Sequence, residues 1–343
     1  MKKLQKIKNL IINLIVLTIV STIGCFSFIL NSKIHNIIFN VGNIISAKNN
    51  LIVHFISVGN ADAIAINLPD GKVALIDCGL KNRNVGYTDY LKERVFNTAD
   101  KQVVDYLILT HADADHIGGA IRLMQEFDVE NVALPIINNN KELYLDLLNC
   151  VNDLDVKKID CENANISGKN YCFKFFNGTN SLDTNEMSRV VKLTAFDKSF
   201  LFTGDISSDI EVELVEKYEE ELNCDVLKVA HHGSKYSTSD KFLSVVTPYI
   251  SVISCGDNSY GHPTSEVIEN LKEVNSKIYR TDIDGNITIC VGNDYNLDVL
   301  SEDYKIIQYD VKVEVLIVGV NLILLVDSVV IFCKKEKRNL IRA

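Results

Sequence analysis

Ten consecutive residues, Thr110-His111-Ala112-Asp113-Ala114-Asp115-His116-Ile117-Gly118-Gly119, constrain this chain more than any other stretch. They set two histidines and two carboxylates within six positions, directly after the apolar run Tyr106-Leu107-Ile108-Leu109. A short apolar run of this kind reads as a buried strand. A strand that ends in nitrogen and oxygen donors followed by a Gly-Gly turn is suited to hold a divalent metal at a sheet edge, and packing alone has no use for the spacing. Imidazole suits zinc and its neighbours, and hard carboxylates widen the choice toward manganese or magnesium.

Two further strand ends carry donors of the same type. Leu201-Phe202-Thr203-Gly204-Asp205 is an apolar run that ends by presenting one carboxylate at a turn. Asp225-Val226-Leu227-Lys228-Val229-Ala230-His231-His232-Gly233-Ser234 ends in paired histidines. Of the seven histidines in the chain, four lie in the first and third clusters, and His262 stands in a Gly-His-Pro turn. Any one of these is a weak signal; three strand-end clusters in one domain point to a metal site.

The motifs, taken in order, resemble the metallo-β-lactamase superfamily, and within it the hydrolase-like domain of the ComEC competence proteins. The order HxDxDHxGG, TGD, HHGS and GHP is met by His111–Gly119, Thr203–Asp205, His231–Ser234 and Gly261–Pro263. Val58-Gly59-Asn60-Ala61-Asp62-Ala63 resembles the VGQGDA turn of those proteins, and Leu75-Ile76-Asp77-Cys78-Gly79 resembles their LIDxG. Arg280-Thr281-Asp282-Ile283-Asp284-Gly285 resembles a terminal RTDxxG, so the match runs from about residue 51 to about 291.

The 343 residues, 47 % of them apolar, suffice for one large domain, and no Pro/Gly/Ser-rich linker divides the middle. Both ends differ from it. Residues 10–30 carry no charge and are long enough to span a bilayer as a helix, and residues 313–333 are nearly as apolar. Basic tails flank them at 1–9 and 334–343, which places both termini in the cytoplasm and the domain, residues 45–308, outside the membrane. Ser21-Thr22-Ile23-Gly24-Cys25 is a loose lipoprotein signal, but the apolar residues continuing past Cys25 favour an uncleaved helix. Asp327, a carboxylate within the second span, costs about 2.5–3.5 kcal/mol there and is a candidate contact with a membrane partner protein.

Net charge is −10, and each cytoplasmic tail contributes +4, which leaves −18 on residues 9–333. Such a domain lacks the basic stripe of a typical nucleic-acid binder. Nine cysteines, seven of them between the spans, show no disulfide framework; Cys78, Cys172, Cys255 and Cys290 lie in apolar runs and read as small core residues.

Strand patterns fall at 51–57, 63–68, 73–78, 104–110, 131–135, 171–176, 189–195, 199–203, 226–230 and 249–254. Helical periodicity falls around 87–97, 117–127, 207–221, 238–246 and 265–274. The alternation gives an α/β layer fold but does not separate an open sheet from a sandwich. The resemblance does: it implies an αββα metallo-β-lactamase-type sandwich, here flanked by two transmembrane helices.

The resemblance also implies roles. His111 and Asp113 would serve one metal position, Asp115 and His116 a second, and Asp205 would bridge them. One of His231 and His232 completes the second position, and the other contacts substrate or donates a proton. The cofactor is thus one or two divalent ions, zinc or manganese. His262 is a candidate general acid or phosphate contact, and Asp62 and Asp77 would brace the ligand loops. The wider superfamily has a histidine where Asp113 stands and another between residues 116 and 231, where this chain has none. Asn185-Glu186-Met187-Ser188-Arg189-Val190 resembles an NxxSxV segment instead, which makes Asn185 and Ser188 candidate site-lining residues. Fewer imidazoles weaken the first metal position and favour manganese. Lys235 and Ser234 could touch an anionic substrate. The implied function is a membrane-anchored, metal-dependent phosphodiesterase or nuclease acting on DNA. The alternatives are a phosphoesterase of an envelope polymer or small ester, and an inactive partner-binding membrane protein.

Overall fold

Strands covered on both faces need near-continuous apolar sequence, and the first three have it. β1 (Leu51–Phe55), β2 (Ala63–Asn67) and β3 (Val73–Cys78) are buried at every position. The structure, a computed structural model, describes residues 50–301 apart from 82–84, 97–101, 138–140, 163–164, 178–182 and 293–295. The N-terminal half continues through α1 (Val85–Tyr90), β4 (Val103–Val104), β5 (Tyr106–Ile108), α2 (Ala114–Ile117), α3 (Ala120–Glu126), β6 (Asp128–Val129), β7 (Asn131–Ala133), α4 (Glu142–Asp153) and β8 (Lys157–Lys158). β9 (Ile166–Gly168), β10 (Tyr171–Asn177), β11 (Arg189–Ala195), β12 (Lys198–Phe202), α5 (Ser208–Tyr218), β13 (Val226–Lys228), α6 (Asp240–Val246) and β14 (Ile250–Ile253) follow. The last elements are α7 (Ser265–Glu273), β15 (Lys277–Arg280), α8 (Thr281–Asp284), β16 (Ile287–Val291) and β17 (Leu297–Ser301).

Two sheets form. One is eight-stranded, ordered β17-β16-β1-β2-β3-β5-β7-β8, and the other is seven-stranded, ordered β15-β14-β13-β12-β11-β10-β9. In the first, β3, β5, β7 and β8 are parallel neighbours; in the second, β12 to β15 are. Side chains alternate across each strand, so one face goes to the space between the sheets and the other to helices. Ile64 and Ile66 of β2 meet Phe173, Phe200 and Phe202 in the shared core, while Ala63 and Ala65 face a helical layer with Leu91, Leu123 and Leu147. On the second sheet Leu201 turns outward to Leu214, Leu243 and Leu271. Each fully buried Phe or Leu in these layers contributes about 1.5–3 kcal/mol relative to exposure. Helix, sheet, sheet, helix is the layer order that the resemblance implies.

The expected strands and helices are present with ends moved by a few residues, while α4, α8 and the strands β6, β8, β9, β15, β16 and β17 are elements that the sequence pattern does not give. Among the described residues the seven cysteines are free, and Cys172 is half-buried rather than in the core. The two expected spans, 10–30 and 313–333, the basic tails, Cys25 and Asp327 lie outside the described residues. Among the described residues no helix is long and apolar enough to cross a membrane.

Candidate metal centre

The carboxyl ends of β3, β5, β12, β13 and β14 gather the functional side chains. At the end of β3 the chain turns through Asp77 at φ 57, a left-handed conformation that costs an Asp less than most residues. Its carboxylate accepts from Thr110 N at 2.9 Å, from Thr110 Oγ1 at 2.6 Å and from His116 Nδ1 at 2.7 Å. Because Thr110 gives its proton to Asp77, its oxygen is left to accept from His111 Nδ1 at 3.1 Å. One carboxylate thereby orients both rings and turns each Nε2 outward, where a metal ion would take the place of any proton it carries.

The second sheet supplies the other half. Gly204 turns at φ +55, and a Cβ there would come within 2.9 Å of Ser188 Cβ, so only glycine fits. The turn presents Asp205, whose backbone N–H donates to Ser188 Oγ at 3.1 Å. After β13, His231 and His232 both take left-handed backbone, φ 49 and 54, followed by Gly233 at φ 84. Hydrogen bonds from His231 N to the Gly204 carbonyl and from Thr264 N to the Gly233 carbonyl hold this turn. His232 Nδ1 donates to the Ser254 carbonyl at 2.8 Å, which again leaves Nε2 free.

The two halves converge. One donor atom each from Asp115, His116, Asp205 and His232 lies within 4.8 Å of the others. His116 Nε2 is 3.2 Å from Asp205 Oδ1, and His232 Nε2 is 3.3 Å from Asp115 Oδ2 and 3.5 Å from Asp205 Oδ2. The Nε2 atoms of His111, His116 and His232 and Oδ1 of Asp205 are buried and lack a partner with hydrogen-bond geometry. Buried polar atoms normally have partners, so the three unpaired atoms of His116, His232 and Asp205, which lie in one cluster with Asp115, fit a bound divalent cation. His111 stands beside them, its ring 4.0 Å from that of His116.

Charge follows the same geometry. Burial opposes a charge on His116, but Asp205 and Asp77 at its two nitrogens overcome it and hold its pKa well above the usual histidine value. Burial likewise opposes charge on His232, and Asp205 and Asp115 raise it. His111 lacks such a partner; burial and the neighbouring His116 lower it to about 4. Burial works against ionised Asp205 and Asp115, yet the imidazoles win: Asp205 falls well below the carboxylate range and Asp115 to about 2.

Other expected site residues stand at varying distance. Asp113 does not join the cluster: its carboxylate pairs with the Lys141 ammonium and accepts from Thr184 Oγ1 at 2.8 Å. An ammonium therefore pairs with the carboxylate that the resemblance assigns, with His111, to the first metal position. His231 is less buried, with Nε2 3.8 Å from Asp205 Oδ2, so His232 is the better placed of the pair. His262 packs edge-on to His231 at 5.7 Å, and burial with the nearby His231 and His232 lowers its pKa. Ser188 supports Asp205 as described, and Asn185 keeps a buried Oδ1 with no partner. Ser234 is buried, while Lys235 lies over the Tyr236 ring. Asp77 braces the ligand loop through Thr110 N as expected, but the Asp62 carboxylate takes no backbone hydrogen bond and pairs with Lys228 instead. Lys228 is absent from the sequence-based site. A lysine inside the apolar run Val226–Val229 was the available signal, because a buried charge requires a partner.

The metallo-beta-lactamase superfamily model matches residues 56–139, which contain Asp62, Asp77 and the whole His111–Gly119 motif. ComE operon protein 3 of Bacillus subtilis (strain 168) is 28 % identical over 256 residues, covering 68 % of this chain and 32 % of that protein. Competence protein ComA of Neisseria gonorrhoeae is 30 % identical over 197 residues, covering 57 % of this chain and 26 % of its own length. The chain thus spans about a third or less of these relatives. Among solved structures, the metallo-beta-lactamase fold protein YhfI from Bacillus subtilis aligns with a TM-score of 0.48 at 11 % identity, covering 74 % of this chain and 100 % of that one. The paired sheets bring the sequence motifs to one edge, residues 56–139 match the metallo-β-lactamase superfamily model, and the chain is similar in sequence to the competence proteins: it resembles that superfamily and is ComEC-like.

Proposed function

We propose that the protein is a metal-dependent hydrolase that cleaves phosphodiester bonds, with nucleic acid as its substrate. The observation that carries this is the convergence of Asp115, His116, Asp205 and His232, the last three buried and each with an atom that lacks a hydrogen-bond partner. These four residues would hold the ion, with His111 beside them. A bound divalent ion supplies an activated water near neutral pH and offsets charge on a phosphoryl oxygen. The chain's own groups do the rest. Asp77 and the Ser254 carbonyl keep the imidazoles oriented. His262, held toward its neutral form, can donate a hydrogen bond to a phosphoryl oxygen, which suits a substrate contact better than a general acid. His231, at the more open side of Asp205, is the candidate to hand a proton to the leaving oxygen. The Lys141–Asp113 pair supports one ion rather than two. Residues 10–30 and 313–333 would anchor the domain on the outer face of the membrane.

A second reading, a phosphoesterase of an envelope polymer or small ester, is favoured by the −18 charge of residues 9–333, which repels polyanions. Incubating the full-length chain with end-labelled single-stranded DNA, with manganese or zinc added, separates the two. Metal-dependent cleavage that disappears in Asp205→Asn is the expected result. Intact DNA with both metals, alongside turnover of a p-nitrophenyl phosphoester, would transfer the assignment to the second reading.

A further inference from the structure

Lys228 places a cation beneath the metal centre. Its side chain is 1 % exposed, its ammonium pairs with the Asp62 carboxylate, and it lies 3.5 Å from the Gly204 carbonyl. Asp62 comes from the first sheet and Lys228 from the second, so the pair crosses the interface on which the centre is built. The Asp62 carboxylate lies 3.7 Å from Nδ1 of both His116 and His232, behind the two rings. Its backbone N–H donates to the Asp115 carbonyl at 3.1 Å. Its Oδ1 makes no hydrogen bond. A buried carboxylate so placed is a charge that the fold has to balance, because taking an ion out of water is costly unless it is paired.

The requirement extends to the whole centre. Asp62, Asp77 and Asp205 are almost fully buried and Asp115 is close by, and Lys228 is the buried ammonium among them. A divalent ion would meet the same carboxylate charge that Lys228 already meets. Ammonium and metal ion therefore compete: each is favoured by the carboxylates and repelled by the other.

We propose that Lys228 is the built-in counter-cation of the centre. It balances Asp62 so that the carboxylate-rich site stands folded without metal, and it holds affinity for a divalent ion below what the ligands alone would give. Lys228 is a positioning and charge-balancing residue, not a catalytic one, since it is sealed beneath the ligands. The inference rests on the metal-binding reading of the site. A lysine that only ties the two sheets together would instead lend the same stability with or without metal.

The test uses the full-length chain and Mn²⁺ alone, reading free Mn²⁺ by electron paramagnetic resonance and unfolding by a thermal melt. In Lys228→Met the metal-free melting temperature should fall, Mn²⁺ should restore most of the loss, and the Mn²⁺ dissociation constant should drop by at least about tenfold. Equal loss of melting temperature in both states, with unchanged Mn²⁺ affinity, overturns the proposal. Asp62→Asn leaves the ammonium without its counter-ion, and should weaken Mn²⁺ binding by about tenfold or more. An unchanged constant there overturns the proposal even where Lys228→Met does not fold. A wild-type chain that binds no Mn²⁺ removes the metal reading and this inference together, whereas wild-type binding with unshifted variants removes the inference alone.

Discussion

His231 and His232 are adjacent and chemically identical, and the sequence offers no way to rank them. The backbone separates them. Two successive left-handed residues, each costing on the order of 1–3 kcal/mol, rotate one ring toward Asp115 and Asp205 and leave the other at the more open edge. Only His232 has a fixed tautomer, set by the Ser254 carbonyl 22 residues away. That contact is long-range and so invisible to motif reading. His232→Ala should therefore weaken Zn²⁺ binding by about 100-fold or more, while His231→Ala changes it by less than about fivefold. Isothermal titration calorimetry on both variants checks this, and equal losses would contradict it. The cluster His111–His116 was legible because chemistry and spacing coincide within six residues. The Asp113 position was not, because Lys141 and Thr184, which take its carboxylate, come from elsewhere in the chain.

At the scale of elements, β3 and β11 were legible from burial-driven patterning, and their ends match the expected ones. Short edge elements were not: β8 is two exposed lysines, and its strand character comes only from pairing with β7. Helix α4 buries Tyr144, Leu147 and Val151 with Leu143, Leu148 and Cys150 partly buried beside them, but Leu145 is exposed, so its apolar residues do not trace a clean helical stripe. Element ends also carry function. Glu211 on α5 is fully buried and accepts N–H bonds from Thr238 and Ser239, pinning the segment that runs from the histidine pair into α6. Burial outweighs these bonds and lifts its pKa from 4.5 to about 7. The folded state thus favours the neutral acid. The stability it lends is full below the unfolded value of 4.5 and lost as pH rises through about 7. Wild type should lose about 3 kcal/mol over that window relative to Glu211→Gln. Urea denaturation at pH 4.5 and 7.5 measures the difference, and parallel profiles would contradict it.

For the whole molecule, residue patterning reached an α/β fold, and the resemblance supplied the sandwich. The physical reason for the sandwich is the face that each strand turns inward. Phe55 and Phe202, from different sheets, meet with ring centroids 6.2 Å apart, a pairing that no local pattern specifies. This closure brings Asp115 and His116 of one sheet to Asp205 and His232 of the other, so the centre exists only in the assembled molecule. Its defining property is retention of a divalent ion by those four residues. The most direct measurement is metal content after equilibrium dialysis of the full-length chain against Zn²⁺ or Mn²⁺, beside Asp205→Asn, with circular dichroism as the check on folding. A bound ion in the wild type, lost in a variant that remains folded, is the expected result. A wild type that retains no metal, or a variant that retains as much, would contradict the account.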